Sequence, residues 1–258
     1  MEKIPTSLLI PAAGQASRMG KKRNKQYIIL AGKPVLAHTL HAFLSLGRFS
    51  PIGILVAPGE KDMFRKWVLN PFVPEDEDIF VVEGGQERQY TVYNGLVALQ
   101  QKRFPPEGIV CVHDGARPFI RGELIESVCA AAWQYGAAVC GVPLKDTIKQ
   151  VGQDGDVLAT PPRESFVAVQ TPQCFRFSLL WEAHVKAKEK KLVGSDDAML
   201  VEMIGGQVKV VPGIEDNIKL TTPMDLVTAE IILKERCTDE VESEIDRQFG
   251  SGWGPDCR

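Results

Sequence analysis

The chain has 258 residues, a formal net charge of −3, and a composition that is 44% hydrophobic and 24% charged. That length and balance support one full-core domain or at most two small ones, and they exclude whole-chain disorder, a fibrous repeat and a bilayer-spanning helix, since no apolar run approaches ~20 residues. The acidic balance argues against a dedicated nucleic-acid binder, and six scattered cysteines without a C-x-x-C pair argue against structural zinc and for a reducing, cytoplasmic setting.

Short apolar runs predict strands over 7–11, 52–57, 79–82, 109–113, 137–142 and 208–211. Between and after them, amphipathic stretches predict helices over 34–46, 60–69, 89–101, 123–135, 178–190, 195–204 and 223–236. In the first helix Val35, Leu36, Leu40, Phe43 and Leu44 recur at helical spacing. Strands alternating with helices imply βαβ units. The expected fold is α/β: a Rossmann-like, mostly parallel sheet with helices on both faces. Residues 145–173 break the alternation around Gln153-Asp154-Gly155-Asp156 and read as a protruding β-hairpin arm. Such an arm either covers a site or grips a second subunit. Residues 1–236 form a single domain in this reading. Residues 237–258 are an acidic tail, expected to be a short helix and then a mobile end. The short run ending at Pro11 is too brief for a signal-peptide core.

In an open parallel sheet, ligands sit beyond the carboxyl ends of the strands. After the first strand, Pro11-Ala12-Ala13-Gly14 leads into Arg18–Lys25, which holds five cations and no acid. Small residues let backbone N–H groups approach phosphate closely, and the cations favour polyphosphate; a solvated basic loop is the equal alternative. The spacing matches neither a Walker A loop nor a dinucleotide fingerprint. After the third strand, Gly84-Gly85-Gln86-Glu87-Arg88 reads first as a helix cap. After the fourth, His113-Asp114-Gly115-Ala116-Arg117 places an acid where it can hold a divalent metal or a sugar hydroxyl. Arg117 either grips phosphate or pairs with Asp114, and His113 reads as structural. Lys219, just before the last helix, reaches a phosphate or is simply exposed. Asp196-Asp197 reads as a capped helix start before a metal pair. No nucleophile elbow occurs, and the cations at several strand ends favour phosphate chemistry over acyl transfer.

Pro11–Gly14 with Arg18-Met19-Gly20 and Lys25-Gln26-Tyr27 resembles the signature loop of sugar-nucleotide-type nucleotidyltransferases. The ordered set Gly84–Arg88, His113–Pro118, Lys145-Asp146-Thr147, Gln170–Gln173 and Asp216–Lys219 resembles the 2-C-methyl-D-erythritol 4-phosphate cytidylyltransferase family over residues 7–236. The resemblance implies an enzyme of non-mevalonate isoprenoid synthesis. It would join CTP to methylerythritol phosphate and release pyrophosphate, with a divalent cation, usually magnesium, as a homodimer joined through the arm. It implies transition-state stabilisation by Arg18 and Lys25, and substrate positioning by Arg163 and Lys219. CTP contacts would fall on Ala12, Ala13, Gly14, Gly85, Thr91, Asp114 and Gly115, with Asp114 the metal residue. Methylerythritol phosphate contacts would fall on Arg117, Thr147 and Thr171, with Ser195 where some members have Thr. Small-molecule substrates, with neither nucleic acid nor membrane, are the expected partners. The rival readings are a ribitol 5-phosphate cytidylyltransferase, a nucleotide-binding regulator without catalysis, and an RNA-binding module. The last is weakest, because Tyr27 is the only aromatic near the basic loop.

Overall fold

The computed structural model describes residues 4–14 and 24–249. Strand β1 (Thr6–Ala12) is buried along its length because its side chains alternate between two apolar layers. Leu8, Ile10 and Ala12 enter one layer and Leu9 the other. A two-stranded turn follows, β2 (Ile29–Leu30) and β3 (Lys33–Pro34), with Ala31 and Gly32 at φ 44° and 81°. Strands β4 (Ile52–Val56), β5 (Ile79–Glu83), β6 (Ile109–Val112) and β7 (Ala137–Pro143) come next. Then come the short pair β8 (Gln150–Val151) and β9 (Val157–Ala159), and the strands β10 (Val167–Arg176) and β11 (Lys209–Pro212). Seven of these make one sheet in the order β11-β7-β10-β6-β1-β4-β5, with every pairing parallel except those of β10. The strand order reverses at β1, whose neighbours β4 and β6 lie on opposite sides, and a crevice opens there at the carboxyl ends.

Helices α1 (Val35–Leu44) and α5 (Gly122–Tyr135) cover one face through Leu36, Leu40, Phe43, Ile125 and Val128. On the same face lies a helix that begins as α2 (Lys61–Phe64), widens to a π turn over Arg65–Leu69 and ends as α3 (Asn70–Phe72). Pro71 explains the widening: it has no N–H and its ring clashes with the carbonyl four residues back, so Asn70 N–H reaches Arg65 O instead. Helices α4 (Arg88–Gln101), α6 (Phe177–Glu189) and α7 (Asp197–Met203) cover the other face through Val92, Leu96, Leu180 and Leu200. Helix α8 (Pro223–Phe249) packs Ala229 and Ile232 on Leu30, Val35 and Phe119, and continues well past the expected end at 236.

The six strands expected from the sequence all form. The seventh, β10, corrects the arm. Residues 167–173, assigned to the hairpin excursion, run between β6 and β7 in the main sheet. The excursion is therefore narrower, with β8 and β9 as its paired strands. The expected mobile end, where it covers residues 250–258, lies outside the described residues.

Candidate active site

The crevice at the β1 reversal is a cleft of ≈ 750 Å³. Four sheet strands and the loop before α8 supply its lining. Ala13 and Gly14 follow β1, Ala57 and Pro58 follow β4, Gly84–Arg88 follow β5, Asp114–Ala116 follow β6, and Lys25 and Lys219 stand over it. Lys25 opens a 3-10 turn (Lys25–Tyr27) whose start is pinned by Asn24. The Asn24 amide donates to Ala12 O at 2.9 Å and to Glu60 Oε2 at 3.0 Å, so the turn is anchored to β1 and to the start of α2.

Asp114 is the electrostatic centre. Lys219 Nζ lies 2.6 Å from Oδ2, Arg88 Nε lies 3.3 Å from Oδ1, and Arg117 Nε lies 4.0 Å from Oδ2. Burial alone would raise the Asp114 carboxyl, but Arg88, Lys219 and Arg117 outweigh it and hold it well below the usual carboxylate range. Its backbone is fixed as well: Asp114 N–H donates to Thr171 Oγ1 at 3.1 Å. Next to it, His113 is fully buried, with Nε2 at 3.0 Å from the carbonyl of Arg117 and Nδ1 at 3.1 Å from Thr171 Oγ1. A carbonyl only accepts, so Nε2 carries the proton and the Thr171 hydroxyl donates to Nδ1. Burial lowers the His113 pKa to about 4, so the ring is neutral and structural, as read from the sequence. Arg117 is committed too: its Nη1 donates to Asn217 O at 2.6 Å. Both open readings of Lys219 resolve toward the site, since its side chain is paired with Asp114 and 37% exposed.

Gly84 and Gly85 do not form a side-chain cap: α4 begins at Glu87 without one. The Thr91 hydroxyl organises this loop instead. It accepts from Gly85 N–H at 3.1 Å and donates to Glu87 O at 3.0 Å. A Cβ on Gly84 would stand 2.7 Å from Thr91 Oγ1 and 2.8 Å from Ala13 Cβ, so only glycine lets the loops after β1 and β5 touch. The acidic pair separates by role. Asp196 caps α7 by accepting from Met199 N–H at 2.9 Å, whereas Asp197 is buried and takes Arg88 Nη1 at 2.6 Å.

The structure thus gathers Ala13, Gly14, Lys25, Gly85, Thr91, Asp114, Gly115 and Lys219 around one cleft. Ala12 is buried in β1 beside it. Arg117 and Thr171 lie directly behind Asp114. Three expected residues stand elsewhere in the single chain. Thr147 is exposed near the root of the arm, and Arg163 opens a 3-10 turn (Arg163–Ser165) where Nη1 donates to Lys145 O at 2.7 Å. Ser195 is exposed before α7, its Oγ 3.6 Å from Met199 Sδ. Arg18 lies outside the described residues. Sequence reasoning gives Arg88 no role, although its place at a helix start after a strand is a signal for one. Asp197 carried no local signal, because its partner is 109 residues away.

One family model, IspD: 2-C-methyl-D-erythritol 4-phosphate cytidylyltransferase, matches residues 6–235. The protein of that name from Pelotomaculum thermopropionicum is 46% identical over 236 residues, 92% of this chain and 96% of the relative. The crystal structure of 2-C-methyl-D-erythritol 4-phosphate cytidylyltransferase from Thermus thermophilus superposes with a TM-score of 0.71 at 35% identity, covering 90% of this chain and 100% of that one. That of 4-diphosphocytidyl-2C-methyl-D-erythritol synthase from Anaerococcus prevotii gives 0.78 at 30% identity, covering 90% and 97%.

Proposed function

The chain belongs to the 2-C-methyl-D-erythritol 4-phosphate cytidylyltransferase family and transfers CMP from CTP to 2-C-methyl-D-erythritol 4-phosphate, and we propose that the transfer takes place in the cleft around Asp114. The observation that carries the assignment is convergence. Lys25 and Lys219, far apart in the chain, line one cleft at the sheet's reversal, and Lys219 pairs there with the buried carboxylate of Asp114. A phosphate oxygen of the monoester attacks the α-phosphorus of CTP in line. A new P–O bond forms, the bond to the β-phosphate breaks, and pyrophosphate leaves. The attacking group is already an anion, so no protein nucleophile is required. The obstacle is repulsion between two polyanions and the charge gathering on phosphorus, and the protein answers with position and fixed cations.

Lys25 and Arg18 stabilise the charge on the transferring phosphoryl group, while Lys219 and Arg163 hold the attacking phosphate. Lys219 is suited to this because it rests on Asp114 yet is partly open, and can exchange one oxyanion for another. Ala12, Ala13 and Gly14 present backbone N–H groups to the triphosphate, and the start of α4, which no side chain caps, adds its dipole. Gly85, Thr91 and Gly115 bound the nucleotide, and Arg117 and Thr171 border the sugar phosphate.

Magnesium is the proposed metal. Among the described residues no cluster of three or more His, Cys, Asp or Glu side chains is placed to ligate one. Asp114 has two oxygens engaged by Lys219 and Arg88 but retains lone pairs, which fits an ion that takes one carboxylate and finds its other ligands on phosphates and water. Such an ion would offset phosphate charge.

A homodimer completes the site in this reading: the partner's arm delivers Arg163 and Thr147. The exposure of Val151, Val157 and Leu158 supports it, since a lone two-stranded hairpin with bare apolar side chains is marginal in water. The proposed compartment is the cytoplasm, in keeping with the buried free thiols of Cys111, Cys129, Cys140 and Cys174; no helix among the described residues is long and apolar enough to cross a membrane.

Purified Lys25→Ala tests the assignment by pyrophosphate release from CTP and the sugar phosphate. Turnover should fall on the order of 10²–10³-fold with the melting temperature little changed. Near-normal turnover would end the role given to Lys25.

A further inference from the structure

From the cleft floor an ion bridge runs outward to α6 and α7, and its outer half has no part in the transfer scheme above. Arg88 spans two carboxylates, with Nη1 at 2.6 Å from Asp197 Oδ2 and Nε at 3.3 Å from Asp114 Oδ1. The second oxygen of Asp197 meets His184 Nε2 at 3.0 Å, and both of those side chains are essentially inaccessible to solvent, at 1% and 0%. Helices α6 and α7 therefore hold the outer end of the bridge, and the cleft holds the inner end. Asp197 itself does not line the cleft.

The second cation on Asp114 behaves differently. Lys219 is 37% exposed on a flexible four-carbon stem, and its proposed task takes it away to the incoming phosphate. Once it leaves, the protein cations left on the Asp114 carboxylate are guanidinium groups. Of these Arg117 is the more distant, at 4.0 Å, and already donates to the Asn217 carbonyl. Arg88 is the closer one, and a planar fork tied to a buried carboxylate has little freedom to move.

We infer that Asp197 is a positioning residue for the transfer step: through Arg88 it fixes the carboxylate of Asp114 while Lys219 moves onto the substrate phosphate. Asp197 touches neither substrate. Its effect is to keep the cleft floor in one geometry through a cycle in which the floor's most mobile counterion departs. A displacement of the order of an ångström in such a floor costs on the order of 10²-fold in rate.

The inference rests on the family reading of the cleft, and the experiment separates the two. In the full-length chain, Asp197→Asn should lower kcat on the order of 10²-fold while CTP affinity, measured by calorimetry without turnover, changes little. The decisive comparison repeats Asp197→Asn in an Asp114→Asn background. If Asp197 acts through Asp114, the double variant is no slower than Asp114→Asn alone. Two losses that multiply, or a normal kcat in Asp197→Asn, would overturn the inference. Should Asp197→Asn fail to fold, Asp197→Glu carries the same cycle, since it keeps the charge but moves the anchor of Arg88 by one methylene. A wild-type chain that makes no product would overturn the family reading instead.

Discussion

The cleft and the arm are built on opposite terms. In the cleft, charged groups are held by one another. Asp114, Arg88 and Asp197 form a continuous ion chain, and Lys219 closes it at the surface. In the arm, Arg163 reaches a local carbonyl and Glu164, with half its side chain in solvent, while Val151, Val157 and Leu158 lie bare beside it. One region has its cations placed before any substrate arrives. The other leaves a cation and an apolar surface open to solvent. On the reading proposed above, charge compensation belongs to each chain and the grip on the acceptor to the pair.

The sharpest way to break that comparison is subunit complementation. Lys219→Ala and Arg163→Ala should each lose turnover, on the order of 10²–10³-fold for the former. Mixed and re-equilibrated, the two variants should recover a substantial part of it, because a heterodimer then holds one site with an intact Lys219 and a partner's intact Arg163. No recovery would place Arg163 in the same chain's site or in none. A smaller effect is expected from Leu158→Asp. A charge on the bare hairpin should shift the chain to a monomer in sedimentation velocity and depress turnover at low protein concentration, with the melting of the isolated fold unaltered. A chain that stays dimeric with Asp at 158 would remove the arm from the interface.

The least effect on activity and the clearest on stability belongs to His113. Its pKa is about 4 in the fold against 6.5 for a free side chain, so above pH 6.5 neither state takes up the proton. As pH falls from 6.5 to 4 the unfolded chain binds a proton that the folded chain refuses, and stability drops by about 3 kcal/mol before levelling off. Denaturant titrations across that range should be flatter for His113→Gln, whatever its stability at neutral pH.

The central parallel strands were legible because they are unbroken apolar runs buried on both faces, as in Ile52–Val56 and Ile109–Val112. The sequence concealed β10 for the converse reason. Gln170, Thr171 and Gln173 are polar and Pro172 interrupts them, yet all three polar residues are buried because the fold supplies partners. Gln170 donates to Ile214 O, Gln173 donates to Asp196, and Thr171 serves Asp114 and His113. The strand-end positions of Asp114 and Gly115 were readable from spacing alone. The bridge from Arg88 to Asp197 was not, since nothing near either residue announces a partner 109 positions distant.

Strand β10 has a consequence of its own. It leaves the arm at Val167, supplies Thr171 under Asp114 and ends at Arg176 against α6, so one strand runs from the exposed arm to the floor of the cleft. In the homodimer proposed above, a substitution that displaces the strand at Val167 would be carried along the same backbone to Thr171, the hydroxyl that takes the Asp114 N–H.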